Sequence, residues 1–108
     1  MMTNARRAIP KIVALLEMSK IPDGWSGIDA VLPLLERMRR DGCVVVVKLD
    51  GERTGAEDSG PYTVEVTGKP LGDEFLRMDH HELEDAIASV IVRYAERKWG
   101  YRSGADDA

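Results

Sequence analysis

The sequence predicts a two-layer α+β domain with the element order α-α-β-β-(β)-α, a small antiparallel sheet and helices mainly on one face. Three segments have apolar residues at the three- and four-residue spacing of amphipathic helices, and a β-branched region lies between the second and the third. Within that region Tyr62 to Thr67 alternates apolar and polar residues, as a strand with one wet face does. With 108 residues, the chain is expected to form one domain over 1–108, with an ordered core from about 9 to 100.

The first helix is predicted over residues 9–20. These residues carry one apolar stripe made of Ile9, Ile12, Val13 and Leu16. Pro10 suits the first turn of a helix, where its missing N–H removes no hydrogen bond, and it argues against helix upstream. We therefore expect residues 1–7 to be loose.

The second helix has two candidate starts. Ser26 with Asp29 three residues later is a variant of the capping box, whereas Asp29 as the N-cap would place Pro33 nearer the first turn. The end is predicted at Gly42, which supplies the left-handed position after basic residues in the last turn.

The first strand is predicted from Cys43 to Leu49, and its four consecutive valines are apolar on both faces. This pattern is typical of a central strand whose second face is at least partly covered. We favour the first helix as the cover, with a second copy of the chain as the alternative. Residues 50–60 are rich in turn-forming residues and predict a long loop.

A short third strand is predicted over Glu74–Met78, followed by the strongest helix of the chain. Asp79 is its expected N-cap, with Glu82 three residues on. Its apolar stripe consists of Leu83, Ala86, Ile87, Val90, Ile91 and Tyr94. Residues 101–108, after Gly100, are expected to fray.

Charge is segregated along the chain. The net charge of −4 is the sum of +3 over residues 1–49, −8 over 50–85 and +1 over 86–108. The negative segment predicts an acidic binding surface for a basic protein partner. The candidate residues are Asp50, Glu52, Glu57, Asp58, Asp73, Glu74, Glu82 and Asp85.

His80 and His81 are the weak candidates for metal binding or acid–base chemistry. On a helix, His80 with Glu84 and His81 with Asp85 would be i, i+4 pairs, but adjacent residues point about 100° apart. We favour a solvated helix start. No phosphate-binding glycine loop, nucleophile elbow or HExxH motif is present, so we expect no catalytic residues, no metal and no cofactor.

Cys43 is the only cysteine, which excludes an internal disulfide and favours a reducing, cytoplasmic location. Between a helix end and a valine run, it is expected to be a core residue. Trp25 and Trp99 are each expected to close one end of the core. No apolar run is long enough to span a bilayer, so no membrane contact is expected.

From the second helix onward, the element order resembles the double-stranded RNA-binding domain, and Tyr62–Gly72 is similar to that family's second strand and following turn. That resemblance implies phosphate contacts from lysines at the start of the last helix. Here that position reads Asp79-His80-His81-Glu82-Leu83-Glu84-Asp85, which opposes nucleic-acid binding. In composition the chain is also similar to bacterial immunity proteins that neutralise nucleases. We expect a small non-catalytic protein-binding module, inhibitor-like or adaptor-like, acting as a monomer or homodimer.

Overall fold

The computed structural model describes residues 2–55 and 58–103. Three strands form one antiparallel sheet in the order β1-β2-β3. The elements are α1 (Asn4–Leu15), α2 (Ile28–Asp41), β1 (Cys43–Leu49), β2 (Tyr62–Gly68), a 3-10 turn (Lys69–Leu71), β3 (Leu76–His80) and α3 (Leu83–Lys98). The predicted α+β class and element order are confirmed. None of the helices in these described ranges has the length and apolar character needed to cross a membrane.

The core lies between the helices and the inner face of the sheet. The register pairs Val66 with Val45 on one side and with Leu76 on the other, so an apolar row crosses all three strands, with Val66 and Leu76 buried and Val45 partly buried. α2 packs on β1, α3 packs on β2 and β3, and α1 packs chiefly on α3. The predicted placement of helices mainly on one face is therefore confirmed.

α1 begins earlier than predicted, because tertiary contacts compensate for its proline. Thr3 is the N-cap and accepts a hydrogen bond from the Arg6 backbone N–H, so Pro10 lies in the helix interior. Pro10 cannot donate to the carbonyl of Arg6, four residues back. The indole N–H of Trp25 donates to that oxygen instead, at 2.9 Å. The expectation of a loose segment over residues 1–7 was wrong for this reason.

α2 begins at neither predicted cap. Its N-cap is Gly27, whose φ of 82° suits glycine and whose N–H donates to the Glu84 carboxylate rather than to a local side chain. Pro33 consequently lies inside the helix. The predicted end is confirmed, since Gly42 takes the left-handed conformation after Asp41.

β1 is an edge strand, not the predicted central one. Its outward-facing residues Val44 and Val46 are 56% and 53% exposed, so α1 does not cover that face. The reason is that the apolar stripe of α1 is buried against α3, on the inner side of the sheet. A four-valine run therefore does not require two covered faces.

The third strand is confirmed, but it lies two residues later than predicted. Asp79, the expected helix cap, belongs to β3, and α3 begins only after Glu82, which makes no side-chain cap bond. At the other end of α3, Tyr101 is buried and donates its backbone N–H to the Ala95 carbonyl. The predicted tail therefore does not begin at residue 101, and its residues 104–108 lie outside the described part.

Candidate functional site

The first turn of α3 joins the N-termini of all three helices. Asp85 accepts a hydrogen bond of 2.7 Å from the hydroxyl of Thr3, the N-cap of α1. Glu84 accepts one of 3.1 Å from the backbone N–H of Gly27, the N-cap of α2. Two neighbouring carboxylates therefore hold the other two helix starts, and we call these four residues the helix junction.

Electrostatics favour carboxylates at the helix junction. Each helix N-terminus carries partial positive charge, and negative side chains there are stabilised by typically about 0.3–1 kcal/mol. The hydrogen bond from the Gly27 backbone lowers the pKa of Glu84. Beside the junction, Arg6 lies 3.6 Å from Glu82, and its guanidinium packs 5.2 Å from the centre of the Trp25 ring. Trp25 is itself buried, as predicted.

Two residues of the predicted acidic surface lie at this point, with different outcomes. Glu82 is exposed and forms its ion pair with Arg6. Asp85 is only 4% exposed, because the Thr3 hydroxyl and α1 cover it. Asp85 therefore contributes nothing to an accessible acidic surface, and its inclusion was wrong.

The two histidines are not on a helix. His80 is the last residue of β3 and His81 lies in the connection to α3, so neither predicted i, i+4 pair exists. Instead, His80 Nδ1 lies 3.8 Å from Asp85 Oδ2 and accepts the backbone N–H of Glu82 at 3.3 Å. Within residues 2–55 and 58–103, no group of three or more His, Cys, Asp or Glu residues is placed to hold a metal ion.

The acids of the long loop stabilise the loop itself. Asp50 accepts the backbone N–H of Glu52, which lowers its pKa, and lies within ion-pair distance of Lys48 and Arg53. Asp58 accepts the backbone N–H groups of the two flanking glycines at 55 and 60. Glu52 is exposed. The remaining predicted acid of the loop, Glu57, lies outside the described residues.

The other predicted acids lie at the opposite end of the sheet. Asp73 and Glu74 precede β3, whereas the long loop lies beside the end of β3, where Gly60 packs against the backbone of His80. Glu74 pairs with Arg97 of α3 at 3.1 Å, and Asp73 is exposed. The negative segment of the sequence is therefore divided between two ends of the molecule.

The sequence reasoning missed a polar cluster on the outer face of the sheet. Thr63 of β2 donates its hydroxyl to Asp79 of β3, directly opposite in the register, and Arg53 reaches over from the loop to 3.4 Å from the same carboxylate. The Thr63 hydrogen bond is the main cause that lowers the pKa of Asp79. Placing Asp79 in a strand rather than at a helix cap would have revealed this pair.

Cys43 is buried, as predicted, beside a polar corner that joins α2 to α3. Burial raises the pKa of its thiol, and burial also raises the pKa of the neighbouring Tyr94 hydroxyl. Asp41 accepts hydrogen bonds of 2.9 Å from both Tyr94 and the indole of Trp99. Trp99 is half-buried at this end of the core.

The same corner shows which side of α2 faces away from α3. Arg37 packs over the Trp99 ring, 5.8 Å from its centre, and Asp41 bonds to the same residue, so their side of α2 faces α3. Ile28 and Leu32 lie roughly half a turn around the helix from Arg37. α2 lies on β1 and α3 lies on β2 and β3, so the side of α2 that faces away from α3 is next to the edge of β1 that does not pair with β2. Ile28 and Leu32 therefore flank this free edge, and both are exposed.

Exposed apolar side chains are concentrated along this free edge. The set, which we call the apolar margin, consists of Ile28, Leu32, Val44, Val46 and Leu49, and Leu49 is 66% exposed. Five of the seven large hydrophobic residues that are exposed among the described residues belong to it. None of the residues predicted as sites belongs to the apolar margin, although the valine run was its sequence signal.

Comparisons with protein-family models, curated proteins and solved structures yield no match to this chain.

Proposed function

We propose that this chain is a non-catalytic protein-binding module whose contact surface is the apolar margin. The observation that carries the proposal is the exposure of Val44, Val46 and Leu49 along a strand that, in the described part of the chain, has no neighbour on one side. Contiguous exposed apolar surface marks interaction sites more often than isolated exposed residues do.

The backbone of β1 supports the same function. An edge strand presents unpaired N–H and C=O groups that can bond to an added strand, while the side chains around it provide specificity. β1 has seven residues and one charged side chain, Lys48. Proteins that avoid such contacts shorten or charge their edges, and β1 has neither protection to any large degree.

Affinity capture with the tagged full chain tests this function. We compare the wild type with Val46→Lys, which charges the centre of the apolar margin, and with Phe75→Lys, which charges an exposed apolar residue outside it. A protein captured by the wild type and by Phe75→Lys, but not by Val46→Lys, supports the proposal. Equal capture by all three chains contradicts it.

The acidic surface remains a second candidate, with a basic protein as its partner. Asp50, Glu52, Asp58 and Glu82 lie at one end of the sheet, next to the Leu49 end of the apolar margin. Several of these charges are paired within the chain, so we expect them to steer a basic partner rather than to anchor it. A steep loss of association rate with added salt, reduced by Glu52→Gln, is the expected result, and a salt-independent rate contradicts it.

Nucleic-acid binding is the alternative suggested by the order α2-β1-β2-β3-α3, which is the order that carries the resemblance to the double-stranded RNA-binding domain. The start of α3 presents Glu82 to solvent and uses Glu84 to hold α2. Carboxylates at that position repel phosphates. We expect no complex with duplex RNA in a low-salt mobility-shift titration, and a shift at micromolar protein would revive this alternative.

A further inference from the structure

The two edges of the sheet differ in chemistry. β3 has five residues, and Arg77 and Asp79 face outward from it, so the β3 edge is short and charged. β1 has seven residues, and its outward positions are Val44, Val46 and Lys48. Short, charged edges resist pairing with another sheet, whereas long apolar edges promote it. Only the β1 edge has the composition of a pairing surface.

We propose that the partner at the apolar margin is a second copy of this chain, paired antiparallel through β1 about a two-fold axis at Val46. The pairing would join the two sheets into one of six strands. This inference rests on the proposed function and specifies its partner. Isologous contacts of this kind are the commonest way in which soluble proteins form dimers.

The sequence of β1 is complementary to itself in this register. Val46 lies opposite the partner's Val46, and Val45 lies opposite the partner's Val47 on the helix side of the sheet. Lys48 lies opposite the partner's Val44, so no two like charges face each other directly. Cross-strand side-chain pairs are the unit that stabilises an antiparallel pairing, and directly opposed like charges destabilise it.

The charges on α2 complement the same arrangement. α2 and β1 run antiparallel and are joined at Gly42, and their rises of about 1.5 and 3.3 Å per residue set Val46 level with the middle of α2. The two-fold axis therefore brings the two α2 helices together antiparallel. The exposed Asp29 near the start of each helix then lies near the exposed Arg40 at the end of the other, while Arg39 pairs with Glu36 of its own helix at 3.0 Å.

A dimer formed by stacking the outer faces of two sheets would be less favourable than the edge-to-edge dimer. That face is apolar only on β1, because Glu65 of β2 and Arg77 and Asp79 of β3 point outward as well. Stacking would remove these charges from water, which is unfavourable for each ion that is not fully paired. Edge-to-edge pairing leaves them solvated.

Sedimentation of the full chain over a range of concentrations tests the dimer. We expect the average mass of the wild type to rise from one chain to two. Val46→Lys places two ammonium groups at the axis and should weaken the dimer at least about tenfold, whereas Phe75→Lys should behave as the wild type. A wild type that stays monomeric at hundreds of micromolar overturns the inference.

A charge exchange tests the register. Val44→Lys sets a second ammonium opposite the partner's Lys48 and should weaken the dimer. Adding Lys48→Glu replaces that repulsion by attraction and should restore the dimer. If Val44→Lys had weakened the dimer only by misfolding the chain, the second substitution would not restore it. Failure of the second substitution to restore a weakened dimer overturns this register.

Amide hydrogen exchange of the unmodified chain gives a measurement that needs no variant. In the dimer, the β1 amides that do not bond to β2 become protected as concentration rises, and those of β3 do not change. Unchanged β1 exchange overturns the inference. A monomeric chain that still captures another protein in a Val46-dependent manner overturns the dimer and leaves the proposed function standing, whereas loss of both contradicts both.

Discussion

The helix junction and the apolar margin lie on the same domain but differ in how their side chains are satisfied. At the helix junction, Glu84 and Asp85 direct their carboxylates at groups of the chain itself, and Asp85 is nearly inaccessible. At the apolar margin, Val44 and Val46 are exposed on a strand that pairs with β2 on one side and, among the described residues, with no strand on the other. The junction is thus internally complete, while the margin has bonding capacity left for a partner.

This difference predicts that the two regions contribute to different properties of the chain: the helix junction to folding stability, and the apolar margin to association. Substitutions at the helix junction should change the free energy of unfolding and leave association unchanged, because Glu84 and Asp85 accept hydrogen bonds from within the chain. Substitutions at the apolar margin should do the reverse. The following predictions test each half of this comparison, in order of decreasing effect on stability.

Asp85→Ala should have the largest effect on stability. It leaves the partly buried Thr3 hydroxyl without its acceptor and removes negative charge from the helix start, which together should cost about 2–3 kcal/mol. Urea unfolding measures the loss. The matched control is Asp73→Ala, an exposed acid that should change stability by less than about 0.5 kcal/mol. Equal losses in the two variants would show that the helix junction does not stabilise the fold.

Trp25 and Pro10 should be coupled. Trp25→Phe removes the donor to the Arg6 carbonyl, and the lost hydrogen bond should cost about 1 kcal/mol beyond the change in packing. Pro10→Ala restores a backbone N–H that can donate to the same carbonyl, so the cost of Trp25→Phe should shrink in that background. A double-mutant cycle by urea unfolding measures the coupling, and strictly additive effects would contradict it.

Acid should weaken the fold through its hydrogen-bonded carboxylates. The pKa values of Asp79 and Glu84 are lowered in the folded state, chiefly by the Thr63 and Gly27 hydrogen bonds respectively. Their stabilisation is complete above the ordinary carboxyl pKa and is lost as the pH falls through the lowered values. Glu84→Gln should therefore reduce the dependence of unfolding free energy on pH in this acidic range. An unchanged dependence would exclude Glu84 as a contributor.

Val46→Lys should have the smallest effect on the stability of the monomer. Its side chain is 53% exposed and points away from the core, so the change should stay within about 0.5 kcal/mol. Unfolding is measured at a concentration where the chain is monomeric. A loss as large as that of Asp85→Ala would mean that the outer face of β1 belongs to the core, and it would remove the contrast between the two regions.

Much of the fold was predictable, because it depends on short-range patterns. The apolar spacing of α3, the alternation in β2 and the glycine after α2 each act over a few residues. The errors arose where a distant residue replaced a local partner. Trp25 donates the hydrogen bond to the Arg6 carbonyl that Pro10 cannot donate, so α1 can contain Pro10. Glu84 accepts the Gly27 N–H in place of a local side-chain cap. Trp25 and Glu84 lie far in the sequence from the groups that they bond, so no local sequence pattern predicts these contacts.

The acidic surface also shows that sequence patterns do not determine long-range contacts. The net charge of −8 over residues 50–85 was correct as composition, but it did not predict where each charge would lie. Asp85 is buried by Thr3, 82 residues earlier, and Glu74 pairs with Arg97 at the other end of the sheet. Charge segregation along a chain becomes a surface only if the fold keeps those residues together and unpaired.

The sequence alone determined the α+β class, the order of the elements, the burial of Cys43 and the apolar character of β1, because each follows from residue type and periodicity. Only the tertiary structure decided that β1 is an edge, that the three helix starts meet at Glu84 and Asp85, and that Asp79 belongs to the sheet. These outcomes depend on which surfaces meet across many residues of chain. The valine run specified a strand, but only the fold decided that Val44 and Val46 would remain exposed on its outer face.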